Sequence, residues 1–227
     1  MAKLPVPGRV KTRLGLPPPL AAQIYTAMAR DVVATVEAQR KLAPMNVVLS
    51  VAADPDASLE PVRAWLPEGW RVVRQSPGDL GARMLEAWDE AEAEHGLVLG
   101  TDAPHIASSR LEEVFSTLEV ASERSAVFVP ALDGGYVGFG LSTREPALFR
   151  GIRWSTPTVM AETERAAEGA GLRLVRTAPE RDVDIREDLE ALCPLLAPGS
   201  RTARLLREVD LGTGSARVPL DGPGRAD

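Results

Sequence analysis

The sequence predicts an α/β fold: a single Rossmann-like domain of three layers, with a mainly parallel central sheet covered by helices on both faces. Three observations lead there. Short apolar runs of strand length alternate with stretches of helical period for most of the chain, the pattern of a sheet wound with crossover helices. The 227 residues suffice for one compact domain with a full core. With 44% hydrophobic and 26% charged residues the composition is that of an ordinary globular protein, and no apolar run approaches the ~18 residues of a membrane span. Cys193, the one cysteine, cannot form an internal disulfide, so the expected compartment is the cytoplasm.

In chain order, Ile24, Met28, Val32 and Val36 recur every four residues and predict a helix over 20–40, opened by the Pro17-Pro18-Pro19 run. A buried strand follows at 46–52, then a short helix near 58–66 and a strand at 70–74. Asp79 can cap a helix over 80–95 whose inward stripe is Leu80, Met84, Trp88 and Ala91. Leu97-Val98-Leu99-Gly100 reads as a strand that ends in the loop Thr101-Asp102-Ala103-Pro104. Helical spacing of Leu111, Val114, Phe115 and Leu118 places a helix over 108–119, and 126–130 and 136–141 read as strands joined by a turn at 132–135. Ser155 before Thr156 and Pro157 has the N-cap pattern of a helix reaching 169 or 171. The last core strand is 172–176, and Asp184 to Glu187 has capping-box spacing for one more helix. Residues 1–210 form the predicted domain and 211–227, rich in Gly, Arg, Pro and Asp, a flexible tail.

The beginning of the sheet is unusual. Residues 1–4 alone precede Pro5, whereas a strand normally needs about five or six residues. The expectation is a truncated first strand, with the true start upstream of the assigned one.

Charge narrows the ligand classes. The 26 basic and 32 acidic residues sum to −6, which argues against nucleic-acid binding, since that needs a broad positive face. Residues 1–30 nevertheless carry Lys3, Arg9, Lys11, Arg13 and Arg30 with no acid, so this stretch is +5 and the remainder −11. Either the terminus is merely solvated, or a small basic spot on an acidic protein serves a small anionic ligand.

Ligands of open parallel sheets bind at the carboxyl ends of strands, where loops and helix starts converge. Four segments fall there. In Lys3-Leu4-Pro5-Val6-Pro7-Gly8-Arg9-Val10-Lys11-Thr12-Arg13 the prolines stiffen a loop, Gly8 permits close approach, and the cations at 9, 11 and 13 suit a diphosphate. Asp102, on a loop after a buried strand, is placed either to hold Mg²⁺ or Mn²⁺ or to cap the turn into the next helix, and His105 beside it reads as a turn residue. Asp133-Gly134-Gly135-Tyr136 is either a plain hairpin turn or a place where the glycines let a sugar lie on the backbone while Asp133 binds its hydroxyls. In Asp182-Val183-Asp184, alternation puts both acids on one side. Asp184 is expected to be engaged as a helix cap, leaving Asp182 freer for a metal.

Together and in order, PVPGRVKTRL, DLGARM, VLGTDAP, PALDGGY, RWST and DVDIREDL resemble the motif series of a bacterial glycosyltransferase family with the nucleotide-diphospho-sugar transferase (glycosyltransferase A-type) fold. That family is related to the 2-phospholactate and molybdenum-cofactor guanylyltransferases. The resemblance spans roughly residues 2–192. It implies that Gly8, Lys11 and Arg13 form a nucleotide-phosphate loop and Gln75, Gly81 and Arg83 a second nucleotide segment. It assigns Asp102 as the metal-binding acid, with Asp182 and Asp184 as the further metal positions. Asp102 and Asp133 become the catalytic pair, and Gly134, Gly135, Tyr136, Trp154 and Ser155 lie on the sugar or acceptor side. The sequence departs from the family's Asp-x-Asp-Thr at Ile185, which puts the second metal position in doubt.

The leading expectation is a metal-dependent glycosyltransferase-like transferase using a nucleotide sugar, Mg²⁺ or Mn²⁺, and a small-molecule acceptor. A nucleotidyltransferase acting on a nucleoside triphosphate and a phosphorylated small molecule uses the same cations and metal. A non-catalytic nucleotide-binding module is the reading from another class.

Overall fold

The computed structural model describes residues 1–120, 124–212 and 215–216. Seven strands build the core: β1 (Ala2–Lys3), β2 (Val48–Ala52), β3 (Arg71–Arg74), β4 (Gly96–Leu99), β5 (Ser125–Pro130), β6 (Tyr136–Leu141) and β7 (Arg173–Arg176). β1, β2 and β3 pair in that order, all parallel, with Ala2 opposite Val51 and Lys3 opposite Ala52. The other four run β4-β6-β5-β7; β6 is antiparallel to β4 and β5, and β5 is parallel to β7. The single reversed strand is the return arm of the hairpin predicted at 126–141. The Met1 ammonium donates to the Leu99 carbonyl at 2.7 Å, so the β1 stub lies between the two halves of the sheet.

Strand alternation sends side chains into two layers. Ala126, Phe128, Phe139 and Leu141 meet Met84 and Trp88 of α3 (Leu80–Glu90) and Met160 and Ala167 of α5 (Val159–Gly169). Val127, Val129 and Val137 face the other way, against Leu111, Val114 and Leu118 of α4 (Ser108–Val120) and Val32 of α1 (Pro18–Leu42). Burial of these apolar faces on both sides of the sheet is what holds the three layers together. α1 begins at Pro18 and Pro19, in the first turn where a missing N–H costs nothing, and buries Ile24, Met28 and Val32 as predicted. α2 (Glu60–Arg63) is a single turn. No helix among the described residues is long and apolar enough to cross a membrane.

Four sequence expectations are corrected. Leu80 is not part of the inward stripe of α3 but is exposed beside the pocket described below. α5 starts at Val159 rather than after Ser155, because Ser155 takes a left-handed turn (φ 62°) that no helix entry uses. α6 (Arg186–Leu192) is capped by the Asp188 side chain, which accepts from the N–H groups of Asp184 and Ile185 at 3.1 Å each, so the Asp184 carboxylate is not spent as a cap. An unforeseen α7 (Arg201–Glu208) follows and packs on α1. Most of the expected tail lies outside the described residues; β9 (Ser215–Ala216), within it, pairs antiparallel with β8 (Val209–Asp210) at the end of the domain.

Candidate functional site

The loop after β1 is fastened by its apolar residues. Val10 is buried against Ala22, Tyr25 and Ala29 of α1, and Leu14 against Ile24, Val183 and Leu189. With Val10 and Leu14 turned inward, Arg9 and Arg13 face solvent while Lys11 turns into the pocket with its side chain 7% exposed. Arg9 pairs with Asp54, Arg13 reaches Asp184 at 3.2 Å, and Lys11 points its ammonium to Asp102 at 2.5 Å and Asp184 at 3.6 Å. Lys11 sits in the left-handed region (φ 48°) and also donates to the Val183 carbonyl. Gly8 turns the loop without lining the pocket.

Asp102 follows β4 on a loop held from three sides. Thr101 shares a 3.0 Å hydrogen bond with the buried Tyr25 hydroxyl, whose pKa burial raises to about 12 with help from the Asp102 charge. The Val183 N–H donates to the Asp102 carbonyl at 3.0 Å. His105 is more than a turn residue: its Nε2 lies 2.9 Å from Glu180, which also accepts from Arg110 at 3.0 Å. Burial alone raises the Glu180 carboxyl, yet the His105 and Arg110 hydrogen bonds hold it below its ordinary value. This half-buried cluster ties the Asp102 loop to the 180–184 segment. No signal in the sequence links these distant positions.

Asp133 caps its own turn by accepting from the Gly135 N–H at 2.9 Å and stays exposed. At Gly134 (φ 93°) a Cβ would fall 2.5 Å from the Pro157 carbonyl oxygen, so the hairpin can lie against the 154–158 turn only because no side chain is there. Gly81 serves packing in the same way, since a Cβ would meet the Phe149 carbonyl oxygen at 2.1 Å and the Trp154 ring at 2.8 Å. Trp154 is thereby set into the wall of the pocket, and its indole N–H has no partner among the described residues. Tyr136 packs edge-on to Phe139, and burial lifts its hydroxyl well above its usual pKa.

Val183 is fully buried, and the alternation read from the sequence turns Asp182 and Asp184 to the same pocket. Burial, then the nearby Asp133 and Asp184 charges, push the Asp182 carboxyl up to about 6 from 3.8, against the pull of Lys11.

These pieces enclose one cavity of about 620 Å³, a size suited to a small organic ligand. Lys11 and Arg13 contribute from the first loop, Asp102 from the second, and Asp133, Gly135 and Tyr136 from the hairpin. Trp154 and Ser155 come from the turn, and Asp182 and Asp184 from the final segment. Gly8, Gln75, Gly81, Arg83 and Gly134 are outside its lining; Gln75 is spent on the Ala2 and Ser50 carbonyls at 3.3 and 3.1 Å. Among the described residues no three ligating side chains are gathered as a closed metal cage. Asp102, Asp182 and Asp184 nevertheless line the pocket with hard carboxylate oxygens, the donor type of which Mg²⁺ or Mn²⁺ takes one or two, completing its shell with phosphate and water.

The family model described as "Uncharacterized protein conserved in bacteria (DUF2064)" matches residues 35–156, more than half of the chain. The chain belongs to this family. A solved "putative nucleotide-diphospho-sugar transferase" of Desulfovibrio desulfuricans G20 is 28% identical to this DUF2064 protein, covers 91% of both chains and superposes with a TM-score of 0.79. A CMP:2-keto-3-deoxy-manno-octonic acid synthetase complexed with CTP is 12% identical, covers 78% of this chain and 88% of its own, and has a TM-score of 0.52. The 4-diphosphocytidyl-2C-methyl-D-erythritol synthase of Anaerococcus prevotii DSM 20548 is 10% identical, covers 79% and 86%, and also scores 0.52. The last two likenesses are of fold alone. No curated protein matches the chain. The DUF2064 protein thus has the nucleotide-diphospho-sugar transferase fold that its motif series resembles, and the likeness to the Desulfovibrio structure agrees with the transferase class expected from that series.

Proposed function

We propose that this protein is a metal-dependent glycosyltransferase-like transferase that takes a nucleotide sugar as donor and passes the sugar to a small-molecule acceptor. The observation that carries the reading is the convergence of Lys11 and Arg13 with Asp102, Asp182 and Asp184 in one pocket at the carboxyl ends of β1 and β4. Lys11 and Arg13 bind the donor diphosphate. Asp102 and Asp182, with Asp184 beside them, are the residues to hold Mg²⁺ or Mn²⁺, which when bound neutralises the diphosphate and stabilises the leaving nucleotide. Asp133, exposed at the turn, orients the sugar or the acceptor hydroxyl. Trp154 and Tyr136 supply an apolar wall, and the free indole N–H of Trp154 a donor for one ligand oxygen.

The test is product analysis with a panel of nucleotide sugars and Mn²⁺. Release of nucleoside diphosphate, lost in Asp102→Ala while the circular dichroism melt is kept, is the expected result. Pyrophosphate released from a nucleoside triphosphate and a phosphorylated acid would move the reading to nucleotidyl transfer. Absence of calorimetric binding by every nucleotide would overturn it.

A further inference from the structure

The Lys11 ammonium occupies the very position from which the acids of the pocket are neutralised. It lies 2.5 Å from Asp102 Oδ1 and 3.6 Å from Asp184 Oδ1, and donates to the Val183 carbonyl. Its side chain is 7% exposed, whereas the two carboxylates are 45% and 49% exposed. Two of the ammonium's three donors are engaged, by Asp102 Oδ1 and the Val183 carbonyl, and Asp184 adds a charge contact at 3.6 Å, so a phosphate must compete with this chain's own groups to reach Lys11. The loop backbone accepts a left-handed residue to put it there, fixed by buried Val10 and Leu14 on either side. A divalent ion on the same carboxylates would stand within a few ångströms of this charge, and two cations so close on shared ligands repel. Lys11 thus stands where a divalent ion on Asp102 and Asp184 would have to come.

We propose that Lys11 is a resident cation that holds the metal position while the pocket is empty, and that a divalent ion gains Asp102 and Asp184 only when the diphosphate of the nucleotide draws the ammonium away. Nucleotide and metal then bind in one coupled step, each raising the affinity of the other by the same factor. A metal without nucleotide meets a competitor already in place. Arg13, which touches Asp184 from the solvent side, stays as the second phosphate cation during the exchange. The inference rests on the nucleotide-and-metal reading of the pocket given above.

The experiment is Mn²⁺ binding to the metal-free full chain, read from the free-ion signal in electron paramagnetic resonance, with and without a nucleoside diphosphate. Wild type is expected to bind Mn²⁺ weakly alone and much more tightly with nucleotide. Lys11→Met, which keeps the stem and removes the charge, is expected to bind Mn²⁺ alone about tenfold tighter than wild type or better. Lys11→Gln provides a second uncharged variant should the first fail to fold, and thermal melts report folding of both. Arg144→Ala, whose cation pairs with Asp89 outside the pocket lining, is expected to leave Mn²⁺ binding unchanged. Equal Mn²⁺ affinity in wild type and the folded Lys11 variants, or weaker affinity in the variants, overturns the exchange while leaving the nucleotide-sugar reading intact. No Mn²⁺ binding by any of them even with nucleotide overturns the exchange and the metal-dependent reading together.

Discussion

Asp182 is the pocket acid whose surroundings shift its carboxyl well away from its ordinary value. Its carboxyl is raised from 3.8 to about 6 by burial and by Asp133 and Asp184, so between those values the folded chain holds a proton that the unfolded chain has released. The stability this contributes is complete below 3.8 and is lost as pH rises through about 6. In metal-free buffer, urea melts of Asp182→Asn should lose that decline and be more stable than wild type at neutral pH by about 1 kcal/mol, since a half-exposed carboxylate feels its neighbours through screening water. A decline identical to wild type would mean that another group titrates there. Arg13 supports a simpler expectation. It is 70% exposed, so Arg13→Ala should weaken nucleoside diphosphate binding by about 1 kcal/mol with no change in thermal midpoint, and a loss under about 0.3 kcal/mol would make it an ordinary surface residue. The charges of this site were legible in the sequence because Lys11, Asp102 and Asp182 stand beside apolar anchors that fix their direction. Their pairing was not, because the partner of Lys11 arrives on the loop after a different strand, and a half-buried cluster such as His105, Glu180 and Arg110 has no spacing rule.

Elements were legible where a periodic stripe belonged to one segment, as with Ile24, Met28 and Val32 of α1, and illegible where a neighbour supplied the signal. α7 is the clear case. Its Arg-rich sequence offers few apolar residues, and its start is held by Asp31 on α1, whose two oxygens accept from the Arg201 and Thr202 N–H groups at 2.9 and 2.8 Å. Ser200 adds a local cap to the Ala203 N–H at 3.1 Å. Asp31 is 6% exposed, so removing it strands two helix N–H groups away from water and deletes a charge that favours the helix start. Asp31→Ala is expected to cost about 2–3 kcal/mol in denaturant unfolding at unchanged slope, against about 1 kcal/mol for Ser200→Ala. Equal costs would show that the long-range cap adds nothing. The misplaced start of α5 has a related cause: Ser155-Thr156-Pro157 has cap composition, but this stretch turns beneath Gly134 to bring Trp154 and Ser155 to the pocket.

Across the whole molecule the alternating strand and helix signals make the layers readable, while the strength of the sheet depends on how completely its strands pair. β5 is paired along both edges, and Ala126 to Val129 are fully buried. β2 is paired with β3 along its length but with β1 only at Val51 and Ala52. Between the two half-sheets lies a cavity of about 430 Å³ that Leu49, Trp88, Val98 and Leu111 help to line. Missing contacts and unpaired strand edges lower the free energy of local opening, so the β1–β2–β3 half should open before the β4–β6–β5–β7 half. The pocket straddles this joint. Lys11 and Arg13 hang from β1 of one half, whereas Asp102 and Asp184 belong to segments following β4 and β7 of the other. A ligand gripping both sets must stitch the halves together. Hydrogen exchange of the ligand-free chain should therefore show faster exchange in peptides covering β2 and β3 than in those covering β5 and β6. Nucleotide with Mn²⁺ should slow the first group by at least tenfold and the second much less, because binding free energy protects only what must open for the ligand to leave. Uniform protection across both groups, with or without ligand, would show that the sheet opens as one unit and that the sparse pairing at β1 carries no weak joint.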